Sequence, residues 1–456
     1  MFVLAFLAAS TATAALPDTA QCQAAVLDPE ATLAQSTGLQ GYIYGYPMVD
    51  LLKQQFNETH RVDPAQPVAA PLNSIAVYPH VLTPATQGQL RAANSDTLYL
   101  NSWIDLSRGP VLIDVPALGA RYYTLVFMDL YGRPYHLGTR SNGGKAMRYA
   151  LVGPSGGKIP EGYVAFPLPT DTAWMLGRVL VNGLDDAAEA QRVARSIVMR
   201  GATGQAVTEA KPLKPFDSLV YFDMLNQALR SVPAKPGEEA LMATFDAAGF
   251  GPGRSFDAEK VSAAQKLGLG CALRIGPQVL AKRGFRPARV QNGWMWSGAM
   301  ANPGNDFLLR AEVARGGYVN APEESIYPAA ITDDRGGMLS GERQYRIRFA
   351  KGKLPPVDAF WSITAYDRAT SQLVENAIHR YTIGDRTKGL KYEKDGSLTL
   401  YLSSSKPAQG KSNWLPVPPG AFHVVIRMYL PRAEVLQGQY ELPPIERMEP
   451  AGVKRP

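Results

Sequence analysis

Two stretches of the chain alternate large and small side chains with the two-residue period of a strand, and they do so in nearly the same words. RYYTLVFMDLYG (residues 121–132) and AFWSITAYDRAT (359–370) each run through strand-forming positions and end in aspartate. Superposed, Tyr122 falls on Phe360, Tyr123 on Trp361, Leu125 on Ile363 and Asp129 on Asp367. The flanks repeat too. GPVLIDVPALG and RQYRIRFAKGKLPPVD come before as strands entering proline turns, and KAMRYALVGPSGG and DGSLTLYLSSSKP come after as short strands closed by turns. Further on, TAWMLGRVLV matches AFHVVIRMYLP and sets Arg178 over Arg427. Four strands in one order predict two antiparallel β-sandwiches from a tandem duplication. The second copy is longer between its Asp and Arg, as a surface loop allows.

Between the copies the period becomes helical. LDDAAEAQRVARSIV has Asp185 and Asp186 in its first turn, where acidic groups suit the helix dipole. FDSLVYFDMLNQALR offers Asp217 or Ser218 as a cap, and PGEEALMATFDAAG stops at Gly249. DAEKVSAAQKLGLG and IGPQVLAKRG continue the run, while EATLAQSTGLQGYIYGYPMVDLLKQQ is an N-terminal helix expected to bend or break at Pro47. The prediction is a mainly β chain with a helical insert. Its parts are a leader (1–21), a helix with the first sandwich (22–183), the insert (184–284), the second sandwich (285–444) and a polar tail (445–456).

Composition changes this little. At 456 residues the chain exceeds one ordinary core, and 36 prolines with 42 glycines suit a turn-rich β fold. FVLAFLAAS followed by Ala12-x-Ala14 has the apolar run and small-residue pair of an export signal, although no Lys or Arg precedes it. The run is too short to cross a membrane, which takes about 20 residues, and no later stretch qualifies. The expected location is periplasmic or secreted. Cys22 and Cys271 could pair there, but the sequence leaves their state open. The net charge of +7 is spread out without basic blocks, so no nucleic-acid partner is expected.

Candidate chemistry concentrates at strand ends. NSDTLY (94–99) crowds backbone-competing side chains at a strand entrance. Either Asn94 begins an Asx turn, or Asn94, Asp96 and Tyr99 address a pocket, with Asp96 as acid or base. Asp129 and Asp367 end matching strands, and Arg178 and Arg427 lie within matching ones. The bland reading is a structural Asp–Arg pair in each copy; the functional one makes Asp367 catalytic and Arg427 a grip on a carboxylate or phosphate. Trp361, Trp414 in NWLP, and the Trp294–Trp296 cluster supply either ligand-stacking faces or core. Arg140 in LGTR is a ligand anchor or a solvated loop residue. GPSGG fits the nucleophile-elbow pattern, but Pro160 and Gly162 deny it the following helix, so Ser155 is expected in a turn. His60, His80, His136, His379 and His423 lack metal-ligand spacing and no phosphate loop occurs, so no metal and no cofactor are expected.

In combination, GYIYGYPMV, NSDTLYLNSWIDLS, RYYTLVFMDLYG, LLRAEVARGGYVNAPEESIYP, FWSITAYD and NWLPVPPGAFHVVIRMYLP are specific. The chain resembles a bacterial family with two consecutive domains of unknown function, numbered twelve fifty-four on the N-terminal side and twelve fourteen on the C-terminal side. The resemblance covers residues 40 to 444 and implies jelly-roll-like sandwiches, but it assigns no chemistry. Two function classes follow. One is an exported hydrolase- or lyase-like enzyme acting on a glycan, amide or small organic compound at an inter-domain cleft. Asp96 and Asp367 would be catalytic, with Asn94, Tyr99, Arg140, Trp361, Trp414 and Arg427 as ligand contacts. The other is a non-catalytic envelope protein that binds a carbohydrate or a protein partner, with a purely structural role as the bland limit. Homo-oligomer formation is left open.

Overall fold

The computed structural model describes residues 15–62, 69–88, 92–232, 235–252, 254, 256–257, 260–283, 286–297, 300–408 and 410–449. The expected export signal, through Ala14, lies outside them. The chain forms two compact units, Met1–Gln54 with Pro212–Gly284, and Gln55–Lys211 with Phe285–Pro456. Among the described residues, no helix is long and apolar enough to cross a membrane.

The first unit is helical, built from Thr19–Ala25, Pro29–Thr59 as far as Gln54, Val220–Ser231, Glu239–Ala247 and Ala263–Arg283. Asp18 opens the first helix with a capping box: its carboxylate and the Gln21 side chain each accept the other's backbone N–H at 2.8 Å. The break expected at Pro47 does not occur; one helix runs from Pro29 to Thr59. An interior proline costs about 3 kcal/mol, and here deep burial of Tyr42, Tyr44, Met48, Val49 and Leu51 outweighs it. The two segments around Pro277 likewise form one helix. A disulfide joins Cys22 to Cys271, with Cα atoms 5.5 Å apart, tying the first of these helices to the last.

The second unit holds the sheets that make the chain mostly β. In its first half, Ala76–Val77, Thr97–Asp105, Thr172–Leu180, Tyr123–Asp129 and Pro134–Gly138 lie side by side in that order, each antiparallel to its neighbour. A four-stranded sheet of Val164–Pro167, Met147–Val152, Val111–Val115 and Val198–Arg200 shares their core. Leu98, Leu100, Tyr123, Leu125 and Phe127 meet Ile113, Tyr149 and Leu151 there. The helix Ala187–Ser196 adds Ala190, Val193 and Ala194 to the same core.

The second half repeats these pairings. Phe422–Pro431, Val357–Asp367 and Thr382–Gly384 lie in that order, with Ser325–Ile326 and Ala329–Ala330 on the far side of Phe422–Pro431. Tyr345–Phe349 pairs with Leu398–Ser403 as Val111–Val115 pairs with Met147–Val152. Past residue 444, where a polar tail was expected, Ile445 is buried and Glu446–Arg447 adds a strand beside Tyr345–Arg346.

Register carries the repetition to single residues. Thr124 lies opposite Arg178 on one side and Gly138 on the other; Ser362 lies opposite Arg427 and Gly384. Both glycines are needed, since a Cβ on Gly138 would strike the Tyr123 carbonyl oxygen and one on Gly384 that of Trp361. Tyr123–Asp129 is buried along its whole length. A strand buried on both faces needs a second cover. Tyr123, Leu125 and Phe127 point into their own core, whereas Tyr122 packs with Leu180, Phe360 and Tyr429 in the seam between the two β halves.

Candidate functional site

The seam is stitched by carboxylates that each half offers to an arginine of the other. Asp96, at the entrance of Thr97–Asp105, accepts from Arg386 at 2.8 Å and from the Ser362 hydroxyl at 2.5 Å. Glu324, just before Ser325–Ile326, accepts from Arg140 Nε at 3.0 Å and from the Tyr122 hydroxyl at 2.7 Å. The Asp96 and Glu324 side chains are 2% and 1% exposed. The Asx turn is present as well, with Asn94 Oδ1 accepting the Asp96 N–H at 2.7 Å and Asn94 Nδ2 donating to Tyr429 Oη at 2.7 Å. NSDTLY therefore forms the Asx turn considered for it, and the turn aims the Asp96 carboxylate into the seam.

Arg178 and Arg427 occupy equivalent positions but have unequal surroundings. Tyr99 lies opposite Arg178, and the register of Ser325–Ile326, extended by one residue, sets Tyr327 opposite Arg427. Arg427 is 3% exposed and well satisfied: it donates to Thr364 Oγ1 at 3.0 Å, to the Ala92 carbonyl at 2.8 Å and to the Tyr366 hydroxyl. In the first half Val126 and Met128 stand where Thr364 and Tyr366 stand in the second, so Arg178 lacks those hydroxyls. Its contacts are long, 3.5 Å to the Leu176 carbonyl and 3.4 Å to Asn320 Oδ1, and its buried Nε has no partner. The ring of Tyr99 lies 5.3 Å from the guanidinium. Among the described residues, neither arginine forms an ion pair with a carboxylate. Tyr99, Tyr122, Tyr327 and Tyr429 surround Arg178, which is partly exposed as a residue although its Nε is buried. Burial, then Glu324 for Tyr122 and Tyr327 for Tyr429, holds both phenols well above their usual range, so they stay protonated.

His136 is fixed in the same seam. Its Nε2 accepts the Ala321 N–H at 3.2 Å, which leaves the proton on Nδ1, 3.2 Å from Thr124 Oγ1. Burial, then the charges of Arg178 and Arg140, lowers its pKa from 6.5 to about 3, and its side chain is 2% exposed. An unfolded chain thus takes up this proton first as pH falls. The associated stability is complete above pH 6.5 and is lost towards pH 3. We expect His136 to cost about 2 kcal/mol of stability between pH 7.5 and pH 5. Urea denaturation at both values should show a smaller loss for His136→Gln than for wild type.

Several expected site residues lie elsewhere. The Asp–Arg pair pictured for each copy does not form. Asp129 faces Ala173 and Asp367 faces Phe422, five strand positions from the register of the arginines, roughly 17 Å along the strand. Asp129 instead binds the Arg133 side chain at 2.9 Å and the N–H groups of Tyr131 and Arg133. Asp367 closes its own turn, and the N–H of Thr370 first, opposed by burial and aided by the Thr370 hydroxyl and Ala369 N–H, holds its carboxyl below the usual range. Trp361 belongs to the core of the second half. Trp414 is 5% exposed and donates Nε1–H to the Ser403 carbonyl at 3.0 Å within its own sheet. Trp294 and Trp296 are buried, and Ser155 sits in a turn with its hydroxyl on Asp171 at 2.6 Å. Of the named candidates, Asn94, Asp96, Tyr99, Arg140 and Arg427 reach the seam. Glu324 and Arg386 were missed. A second pass over the repeat would have found them, because SDTLY aligns with EESIY (323–327) and LGTR with IGDR (383–386).

DUF1254, a domain of unknown function, matches residues 72–201, and DUF1214, also of unknown function, matches residues 324–433. No curated protein matches the chain. The crystal structure of the VPA0106 protein from Vibrio parahaemolyticus is 21% identical with a TM-score of 0.68, over 91% of this chain and 100% of that one, which shows a shared fold. A putative uncharacterized protein from Burkholderia cenocepacia is 14% identical with a TM-score of 0.45, over 94% and 97%. With both domains matched in that order, the chain belongs to the two-domain family that joins DUF1254 to DUF1214.

Proposed function

We propose that the seam binds a small organic anion, with Arg178 as its anchor. The carrying observation is the inequality of the two arginines: one is satisfied by hydrogen bonds to Thr364, Tyr366 and the Ala92 carbonyl, and the other is set among phenols with long contacts and an orphaned Nε. A guanidinium buried without a counter-charge is costly, and an anion arriving with good geometry repays that cost. Catalysis is less well supported. Asp96 and Glu324 are already held by arginines, and both His136 nitrogens are engaged. This favours the binding-protein reading over a hydrolase or lyase.

The matching registers support descent of the two β halves from one jelly-roll-like sandwich, with one arginine kept for structure and its twin released for ligand. The Cys22–Cys271 disulfide supports an exported, periplasmic or secreted location. Thermal melts test the binding reading. At concentrations well above Kd, small carboxylates should raise the wild-type Tm by about 2–4 °C over chloride of equal ionic strength. Arg178→Met should not respond. A wild type indifferent to every anion removes the proposal.

A further inference from the structure

We infer that the outer edge of the strand Val164–Pro167 docks an extended segment of a partner protein, one that alternates acidic and apolar side chains. The edge lies outside the seam and is independent of the anion site. Its meaning comes from the repeat. Val164–Pro167 runs parallel to Met147–Val152, and Trp414–Pro416 runs parallel to Leu398–Ser403 in the second half. Phe166 pairs with Leu151 as Leu415 pairs with Leu402, and Pro167 lies opposite Val152 as Pro416 lies opposite Ser403. Ala165 is therefore the counterpart of Trp414. The second strand is closed over: Trp414 is 5% exposed, and Arg380 donates to the carbonyls of Ser412 and Trp414 at 3.0 and 2.8 Å. The first is open. Val164 is 53% exposed, and Ala165 and Pro167 are exposed beside it.

The ladder shows which backbone groups this edge offers. Leu168 N–H donates to the Val152 carbonyl at 2.8 Å, so Phe166 and Leu168 face the neighbouring strand and Ala165, between them, faces away. Among the described residues, no hydrogen bond reaches the Ala165 N–H or carbonyl. An uncovered edge of apolar residues is what sheets ordinarily avoid. Pro167 is tolerated there because its missing N–H would point outward. At the start of the strand lies a cavity of about 500 Å³, lined in part by Val115, Met147, Arg148, Val164 and Ser196. Arg148 and Arg200 share the single carboxylate of Asp114, and Arg148 lies 4.1 Å from the centre of the Tyr163 ring. Lys158 and Glu161, just before the strand, cancel each other. Two guanidiniums against one carboxylate leave positive charge beside an apolar edge, and acidic side chains on an added strand complement it. A second copy paired about a two-fold axis would instead bring like charges together.

Fluorescence polarisation on the full chain tests this with a labelled heptapeptide of alternating valine and glutamate. It should bind roughly tenfold or more tightly than its lysine counterpart, and a version N-methylated at every amide should not bind. Arg148→Glu should weaken it by about tenfold or more. Ala165→Pro, which removes an outward N–H and no ladder bond, should abolish binding without lowering Tm. Arg178→Met should leave binding unchanged, which separates this edge from the seam. The N-methylated peptide on wild type is decisive should Ala165→Pro fail to fold. Equal binding of the glutamate and lysine peptides, binding that survives N-methylation, or no binding overturns the inference and leaves the anion site standing. So does a wild-type dimer in light scattering that Ala165→Pro converts to monomer, since a second copy would then be the occupant.

Discussion

Asp96→Ala should lower the free energy of unfolding by about 3–5 kcal/mol, the range found when one partner of a buried ion pair is removed. Arg386 would be left with the Val181 carbonyl at 3.0 Å, the face of Phe360 4.0 Å away, and only the longer, partly exposed pair of its Nε with Asp385 at 3.6 Å. The Ser362 hydroxyl would lose its acceptor too. Asp358→Ala is the control, since it breaks a pair with Arg432 in which both side chains are more than half exposed and should leave stability unchanged. Urea denaturation of the two variants at pH 7 gives the comparison. A loss below about 1 kcal/mol for Asp96→Ala would mean that the cross-seam pairs do not hold the β halves together.

The opposite sign is expected at Arg178. Replacing a buried, poorly satisfied guanidinium by an apolar side chain of similar length removes a desolvation cost and gives up only the long contacts to Asn320 Oδ1 and the Leu176 carbonyl. Arg178→Met should therefore stabilise the empty protein by about 1–3 kcal/mol, while abolishing its response to anions. Arg427→Met should destabilise, because Thr364, Tyr366 and the Ala92 carbonyl would lose their donor. Equal and opposite outcomes for twins on matching strands would separate a structural arginine from a functional one. If Arg178→Met instead loses stability as Arg427→Met does, the surroundings of Arg178 are ordinary core and the binding proposal lacks its anchor.

The paired strands around Asp129 and Asp367 were legible because strand periodicity is local: alternate residues face alternate sides whatever covers them. The same locality made the helices of the first unit readable and made Pro47 misleading. Proline's cost is a local quantity, whereas the burial of Tyr42 and Leu51 that overrides it is not. Asp129 and Arg178 show the second kind of failure. Their recurrence in both copies is real, but recurrence says nothing of register, and the ladder sets each aspartate five positions away from its supposed partner.

By itself, the amino-acid sequence determined the repeated strands, the helices on either side of the first copy, the echo between the halves and the family, all of which rest on neighbours along the chain; it did not show the helix Phe307–Arg315 within the stretch read as the second sandwich. Tertiary structure alone decided that Asp96 meets Arg386, that Glu324 meets Arg140, and that Arg178 is left under-satisfied where Arg427 is not. These facts depend on which side chains two sheets bring within hydrogen-bond reach across a buried seam, and the partners lie nearly two hundred or more residues apart in the chain. A pairwise contact at that separation leaves no periodic trace for a sequence to display.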